Sequence, residues 1–264
     1  MKILSSIQNP ELKKLRLLFQ KARERKKLAL FVIEGKREIQ KAIRGGYSFE
    51  SVFIHEEAIG DFESLLNSVD HVTKYSLEAS QFEKLSIRSG SEKIIAIAQN
   101  KPHDLSQLKL NKNSIVLVIE APEKPGNIGA LYRTAAAAKI DAVIIANPKT
   151  DFYNPNSIRS SLGGIFILPT AIASSIEVIA YLKENKITIA TAAINSKAVP
   201  YDQFEYTPPC ALVMGTESTG LDQLWLNETN QNLMIPMADE VDSLNLSVSA
   251  GILMYECQRK NKRF

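Results

Sequence analysis

The sequence predicts an α/β protein in which a small basic α/β unit precedes a larger unit built on a mostly parallel sheet. Three observations predict this class. Apolar runs alternate with helical segments along the chain, which favours sheets covered by helices. In the second half these runs are apolar almost throughout, as expected for strands buried on both faces. The 264 residues, 45% of them hydrophobic, suffice for one large domain or two ordinary ones.

The first unit is predicted to span residues 1–100. Asn9 followed by Pro10 is a helix N-cap signal with proline at the first helical position, and a long basic helix follows. Gly45 and Gly46 close a later helix. The apolar patterns predict strands at Leu30–Ile33, Ser51–His55, His71–Tyr75 and Ile94–Gln99, and helices at Lys36–Arg44, Phe62–Ser68 and Leu77–Ser86.

A polar segment at residues 101–113 is predicted to be a linker to a second unit at residues 114–264. The strands predicted there are Ile115–Ile119, Ala142–Ala146, Ile165–Leu168, Ile187–Thr191, Ala211–Met214 and Leu233–Ile235. The last helix, Leu244–Arg259, carries an apolar surface that suits either a core or a subunit interface. Parallel sheets of this kind bind ligands beyond the carboxyl ends of their strands.

Positive charge is concentrated near the amino terminus. Residues 1–45 hold 13 lysines and arginines against 4 acidic residues, whereas the whole chain has a formal net charge of +3. This concentration indicates nucleic-acid binding, although a solvated amphipathic helix would show the same pattern. The candidate contact residues are Lys13, Lys14, Arg23, Arg25, Lys26, Lys27, Lys36 and Arg37.

Several function classes lack their usual sequence support. No apolar run approaches the roughly 20 residues that span a bilayer, and Pro10 precedes any signal-peptide core, so a cytoplasmic protein without membrane contact is expected. Cys210 and Cys257 fit neither a disulfide framework nor a zinc spacing, and no metal is expected. Neither a G-x-G-x-x-G after a first strand nor a G-x-x-x-x-G-K-[ST] is present, which disfavours dinucleotide and P-loop sites.

Three segments that follow apolar runs carry the functional signal. They are P-G-N-I-G-A-L-Y-R-T-A-A-A-A at 125–138, G-T-E-S-T-G-L at 215–221 and I-P-M-A-D-E-V-D-S-L-N-L-S at 235–247. In order, spacing and strand context they resemble the three motifs of the SpoU (TrmH) family, RNA 2′-O-ribose methyltransferases of the SPOUT class. The start of the chain, with S-S-I-Q-N-P-E-L-K-K-L and F-V-I-E-G-K-R-E, resembles the ribosomal-protein-like RNA-binding domain of many members.

This resemblance implies a trefoil knot in the second unit, with loops that bind S-adenosylmethionine. It also implies a homodimer formed through the C-terminal domain. A glycine at 215 suits a sharp turn and a close approach of ligand to backbone, whereas Ile235 and Leu244 equally suit core packing. The cofactor-binding residues implied by the resemblance are Thr191, Met214, Gly215, Ile235, Met237 and Leu244.

Methyl transfer to a ribose requires the 2′-oxygen to be aligned with the methyl carbon of the cofactor. Arg133 matches the family's essential arginine and would grip a phosphate bidentately, with Asn127 as its polar companion. The remaining catalytic positions implied by the resemblance are Glu217, Ser243 and Asn245. Ser218 and Asp239 depart from the family pattern, which usually has glycine at both places.

The expected function is therefore methylation of a ribose 2′-hydroxyl, with the basic first unit presenting RNA. Ribosomal RNA is favoured over transfer RNA because of the extra N-terminal domain. A non-catalytic RNA-binding or ribosome-associated protein is the rival from another class, and the presence of Arg133 and Asn127 argues against it. Methylation of a base nitrogen is disfavoured because S-L-N-L-S is typical of the ribose-modifying branch.

Overall fold

The computed structural model describes residues 1–4, 6, 8–69, 71–85, 92–216 and 219–263. The chain forms two compact units. The amino-terminal unit comprises Met1–Lys101 and Tyr153–Ile167, and the carboxy-terminal unit comprises Pro102–Phe152 and Leu168–Phe264. The segment 153–167, which the sequence analysis assigns to the second unit, thus packs with the first.

Helices and strands alternate along the described chain. The first elements are β1 (Lys2–Leu4), α1 (Pro10–Gln20), α2 (Ala22–Leu28), β2 (Leu30–Glu34), α3 (Lys36–Arg44), β3 (Phe49–His55), a 3-10 helix (Glu56–Phe62), α4 (Glu63–Ser68), β4 (Thr73–Leu77), α5 (Ala79–Phe82) and β5 (Ile94–Gln99). Next come a 3-10 helix (Leu105–Gln107), β6 (Ile115–Glu120), α6 (Pro125–Ala137), β7 (Ala142–Ala146), α7 (Pro155–Ser160), α8 (Gly164–Ile167) and β8 (Thr170–Ala173). The last elements are α9 (Ser175–Glu184), β9 (Thr188–Ala192), β10 (Val199–Pro200), a 3-10 helix (Tyr201–Gln203), β11 (Cys210–Met214), α10 (Gln223–Glu228), β12 (Gln231–Met234) and α11 (Leu246–Lys260). None of the helices in the described ranges is long and apolar enough to cross a bilayer.

The amino-terminal unit is built on a mixed five-stranded sheet in the order β1-β4-β3-β5-β2. β1, β4 and β3 run parallel, whereas β5 is antiparallel to β3 and β2. The side chain of Asn9 caps α1 and Pro10 is its first residue, as predicted. α1 then buries Leu12, Leu15 and Leu18 in one core with the sheet.

The single basic helix predicted after Asn9 is two helices, because the backbone is extended at Lys21 between α1 and α2. The side chain of Arg25 is only 2% exposed. Its Nη1 donates to the carbonyl oxygens of Leu18 at 2.5 Å and Phe19 at 3.2 Å, which lie in the last turn of α1. Arg25 therefore stabilises the helix junction, and this corrects the prediction that it contacts nucleic acid.

The strand predicted at Ile165–Leu168 is wrong, because α8 occupies this run and the strand, β8, begins after Pro169. A short apolar run does not by itself distinguish a strand from a buried helix. The Phe166 ring stacks on Phe31 with centroids 5.9 Å apart, and the Tyr153 ring stacks on Phe31 at 4.1 Å. These contacts give the apolar side chains of α8 a core within the amino-terminal unit.

Several predicted boundaries also shift. β4 lies two residues later than the predicted strand, so Leu77 belongs to it, and the helix expected over Leu77–Ser86 is confined to α5. Ser86 lies outside the described residues. The last helix begins at Leu246, because the Asn245 side chain accepts a hydrogen bond from the backbone N–H of Ser247 and caps the helix.

The carboxy-terminal unit is built on a seven-stranded sheet in the order β10-β12-β9-β11-β6-β7-β8, and all its strand pairs are parallel in the described residues. Every residue of β6, β7 and β11 is buried, as predicted for strands covered on both faces. Met214 lies opposite Ile119, and Thr191 lies opposite Val213 and Asn232. The carboxyl ends of β9, β11 and β12 therefore meet at one edge of the sheet.

Arg25→Met should lower the free energy of unfolding by about 1–3 kcal/mol, because methionine leaves the carbonyl oxygens at the end of α1 without their donor. Thermal unfolding followed by far-UV circular dichroism measures the change. Arg23→Met is the matched control, since Arg23 is exposed on the same helix and its replacement should change the free energy by less than about 0.5 kcal/mol. Equal melting temperatures for Arg25→Met and the wild type would contradict the structural role of Arg25.

Candidate active site

A cavity of about 370 Å³ lies at the carboxyl edge of the sheet in the carboxy-terminal unit. Residues 192–195 line it after β9, residues 215, 216 and 219–221 line it after β11, and residues 235, 237, 243 and 244 line it after β12. The volume falls in the range of small-molecule sites, and such sites form where strands of a parallel sheet end. The sequence prediction of a strand-end site therefore has a physical counterpart.

The structure brings most of the predicted cofactor residues to this cavity. Its lining includes Met214, Gly215, Ile235, Met237 and Leu244, together with Ser243 from the predicted catalytic set.

Thr191 is the exception among the predicted cofactor residues. It is fully buried, its hydroxyl donates to Asn232 Oδ1 at 2.8 Å, and the same oxygen lies 3.0 Å from Thr229 Oγ1. Thr191 therefore ties β9 to β12 beneath the loop that it precedes, instead of lining the cavity. This arrangement makes Thr191 a support of the cavity wall, and its contact with a ligand stays a prediction.

Gly215 stands where two segments of backbone come closest. A Cβ added to Gly215 would lie 2.3 Å from the carbonyl carbon of Gly220 and 2.6 Å from the backbone nitrogen of Leu221. Thr216 and Gly220 exchange backbone hydrogen bonds of 3.0 and 3.1 Å, which close the turn. One wall of the cavity thus requires a glycine at this position.

The cavity lining combines apolar side chains with a few polar groups. Leu221, Leu226 and Leu233 contribute apolar surface, and the hydroxyl-bearing Ser243 and Ser249 lie among them. Strand-end loops also present backbone N–H and C=O groups. An apolar wall with few polar groups suits a flat heteroaromatic ligand whose polar atoms lie at its edge.

Sequence reasoning missed the segment 192–195, which forms one side of the cavity. The segment begins with Ala192, the last residue of β9, and reads A-A-I-N, so it shows the same change from an apolar strand to small and polar residues as the recognised motifs. Ile194 is 65% exposed at this side of the cavity. The strand-end pattern was available in the sequence, but no motif marked it.

The first motif does not line the cavity. Asn127 lies in the first turn of α6 and Arg133 is exposed further along the same helix, and no residue of α6 is part of the lining. The loop after β9 lines the cavity together with the second and third motifs, and a role of Asn127 and Arg133 at this site stays a prediction.

The helix that carries Arg133 is nevertheless attached to the helix that adjoins the cavity. α11 begins with Leu246 and Ser249 in the cavity wall. Near its other end, the buried Gln258 donates from Nε2 to the carbonyl oxygens of Ala138 at 2.5 Å and Lys139 at 3.2 Å, which follow α6. This side chain caps the end of α6 and fixes α6 against α11.

The remaining predicted residues lie in different places. Glu217 and Ser218 lie outside the described residues; Ser218 is one of the two positions that depart from the family pattern. Asn245 caps α11 and is not part of the lining, and Asp239 is exposed in the loop after β12. Among the described residues, no group of three or more His, Cys, Asp or Glu side chains could hold a metal ion.

The two cysteines are buried thiols. Both side chains are 0% exposed, Cys210 at the start of β11 and Cys257 on α11. Burial raises the pKa of the Cys210 thiol, and it raises the pKa of the Cys257 thiol to about 12. Neither thiol therefore ionises near neutral pH, which makes both poor nucleophiles.

Gly215→Ala should weaken binding of S-adenosylhomocysteine by about tenfold or more and destabilise the protein by about 1–3 kcal/mol, because the new Cβ forces the turn open. Isothermal titration calorimetry and thermal unfolding measure the two effects. Gly126→Ala is the matched control, since a Cβ at Gly126 meets no heavy atom within 4 Å. Unchanged binding by Gly215→Ala would show that the turn does not shape the ligand site.

Comparison with known proteins shows the family and the fold of the chain. The model of the SpoU rRNA Methylase family matches residues 114–255, and that of the MRM3-like substrate binding domain matches residues 9–96. The chain is 28% identical over 257 residues to the 23S rRNA (guanosine(2553)-2′-O)-methyltransferase RlmP of Bacillus subtilis (strain 168), covering 97% of this chain and 98% of RlmP.

Solved structures share the fold over nearly the whole chain. The crystal structure of an RNA 2′-O ribose methyltransferase aligns with a TM-score of 0.84 and 32% identity, covering 98% of this chain and 99% of that one. The AdoMet-bound rRNA methyltransferase from Sinorhizobium meliloti aligns with a TM-score of 0.89 and 23% identity, covering 98% and 97%. These likenesses confirm the SPOUT fold expected from the motifs, and the chain belongs to the SpoU rRNA methylase family.

Proposed function

We propose that this protein transfers a methyl group from S-adenosylmethionine to a ribose 2′-hydroxyl of ribosomal RNA. The observation that carries the proposal is the cavity at the carboxyl edge of the parallel sheet, lined by the second and third motifs of the SpoU family. Similarity to RlmP over 97% of the chain supports ribosomal RNA as the substrate class. The same similarity favours ribosomal over transfer RNA, and such a substrate would place the enzyme in the cytoplasm.

The cavity residues fit the proposed cofactor. Backbone groups at Gly215, Ile235 and Leu244 would meet the polar edge of the adenine, and the apolar side chains of Met214 and Met237 would cover adjoining parts of the molecule. When bound, S-adenosylmethionine supplies an electrophilic methyl carbon on a sulfonium. The residues of this chain shape the site, exclude water and hold the ligand in one orientation.

Arg133 is proposed to position the RNA. Its guanidinium is exposed on α6, and a planar fork of donors can hold a phosphate bidentately and so fix the adjoining ribose. Asn127 on the same helix, with Glu217, Ser243 and Asn245, is proposed to orient the substrate and the loops. Of this group, Ser243 lies in the cavity wall.

Some of the predicted cations of the proposed RNA-binding surface already have partners within the unit. Lys14 already pairs with Glu11 at 2.8 Å and Glu50 at 2.6 Å. Lys36 Nζ donates to a backbone carbonyl at 3.0 Å, and Arg37 pairs with Glu38 at 2.7 Å. The predicted cations that are exposed and remain in the proposed surface are Lys13, Arg23, Lys26 and Lys27.

Lys27→Gln should weaken RNA binding and lower the slope of log affinity against log salt by about 1, because one phosphate contact and its released counterion are lost. Filter binding of ribosomal RNA at several salt concentrations measures the slope. Lys84→Gln is the matched control, since Lys84 is an exposed lysine of the same unit outside this surface. Equal slopes for both variants and the wild type would remove Lys27 from the surface.

A homodimer formed through the carboxy-terminal unit is also proposed. α11 exposes Val248 at 51% and Tyr255 at 47%, and an apolar helix face of this kind suits burial against a second copy. Sedimentation velocity should show a dimer for the wild type and a shift toward monomer for Val248→Asp with Tyr255→Glu. A monomeric wild type would contradict this assembly.

The decisive functional test is transfer of label from methyl-labelled S-adenosylmethionine to ribosomal RNA taken from cells that lack the gene. Wild-type protein should label one ribose, and ribose-methylation maps should lose the same position in the deletion strain. Arg133→Ala should abolish transfer yet bind S-adenosylhomocysteine normally, and Arg133→Lys should not restore full activity because lysine lacks the planar fork.

The alternatives give different outcomes in that test. A non-catalytic RNA-binding protein would bind ribosomal RNA without labelling it. Label on transfer RNA alone would assign a transfer RNA substrate, and label on a base nitrogen would assign another SPOUT branch. Full activity of Arg133→Ala would remove Arg133 from the mechanism.

A further inference from the structure

A buried polar cluster lies at the carboxyl end of β6, outside the cavity lining. Glu120, the last residue of β6, is 5% exposed. Its Oε2 accepts hydrogen bonds from Ser175 Oγ at 2.5 Å and from Trp225 Nε1 at 2.8 Å, and its Oε1 accepts one from Asn147 Nδ2 at 3.4 Å. One carboxyl group thereby joins three elements: the end of β7, the start of α9, and α10.

The other members of the cluster bond to one another. Asn147 Nδ2 donates to Ser175 Oγ at 2.8 Å, and the backbone N–H of Ser175 donates to Asn147 Oδ1 at 3.2 Å. These hydrogen bonds hold the donor groups of Asn147 and Ser175 in fixed directions toward the carboxyl group of Glu120. A network of this kind specifies one arrangement of its elements, because a shift of any element leaves a buried polar atom unsatisfied.

Trp225 connects this cluster to the cavity. Its side chain is fully buried in the core with Val178, Ile189 and Val213. Leu226, next to it in α10, and Leu221, just before α10, both line the cavity. The indole thus lies behind the cavity wall that α10 and its preceding loop form.

We infer that Glu120 is a positioning residue, which fixes α10 through Trp225 and so sets the wall of the cofactor cavity at Leu221 and Leu226. The inference rests on the proposed function, in which the cavity holds S-adenosylmethionine. Core packing holds the indole ring, but the buried indole N–H also needs an acceptor, and Glu120 provides it. A buried carboxyl group is unfavourable unless its oxygens are hydrogen-bonded. The presence of Glu120 here therefore fits a role in fixing the position of α10 rather than in adding stability.

The experiment uses the full-length protein and measures the affinity for S-adenosylhomocysteine by calorimetry, with steady-state methyl transfer to ribosomal RNA. Glu120→Ala and Trp225→Phe should each weaken affinity and raise the KM for S-adenosylmethionine by about tenfold, with kcat at saturating cofactor within about twofold of the wild type. Glu120→Gln, which keeps an oxygen that can accept from the indole, should restore most of the affinity. The double variant Glu120→Ala with Trp225→Phe should be no weaker than either single variant, because both remove one interaction.

Tyr206→Phe is the structural control. It removes a part-buried hydrogen bond of the carboxy-terminal unit, from the hydroxyl of the buried Tyr206 to the carbonyl of Tyr201 at 2.8 Å, and should lower the melting temperature without changing the KM for the cofactor. If Glu120→Ala does not fold, Trp225→Phe tests the inference. Trp225 is the only tryptophan, so its emission in Glu120→Ala reports whether α10 has moved.

The outcomes distinguish failure of the positioning role of Glu120 from failure of the proposed function. Wild-type affinity in folded Trp225→Phe would overturn the positioning role and leave the proposed function intact. A fall in kcat at unchanged KM would also overturn it. Absence of S-adenosylhomocysteine binding by the wild type would overturn the proposed function and this inference with it.

Discussion

The parallel direction of the strands in the carboxy-terminal sheet is the constraint on which the rest of the site depends. Parallel strands all end at the same edge, so the segments that follow β9, β11 and β12 must lie together, although they are separated in the sequence by about 20 residues each. Burial of the strands on both faces leaves this edge as the place where loop backbone can meet a ligand. The cavity therefore arises first from the topology of the sheet and only second from particular side chains.

Polar contacts beneath the cavity have a different role from the apolar residues that line it. Thr191 bonds to Asn232 and Thr229 under the loop after β9, and Glu120 bonds to Trp225 behind the wall formed by α10. Apolar lining supplies contact area with little directional preference, whereas buried hydrogen bonds fix direction. The site is thus built in two layers, a directional support and an apolar surface.

The sequence predicted the α/β class and the parallel sheet, because buried strands leave strong local patterns. Met214, Gly215, Ile235, Met237 and Leu244, which the resemblance to the SpoU family implied as cofactor-binding residues, are among the residues that line the cavity. It did not predict the break at Lys21, the helix at 164–167 or the support role of Thr191. Each of these depends on a contact distant in sequence or on an end of a helix, such as Arg25 with Leu18 or Phe166 with Phe31, which a local pattern does not contain.

Three strand-end loops are proposed to form one binding site for an adenosine-containing methyl donor. A crystal structure of the protein with S-adenosylhomocysteine would test this proposal. The adenine is expected between residues 192–195, the turn at Gly215 and Gly220, and the loop that carries Ile235 and Leu244. Ligand bound elsewhere on the protein, with this cavity filled only by solvent, would contradict it.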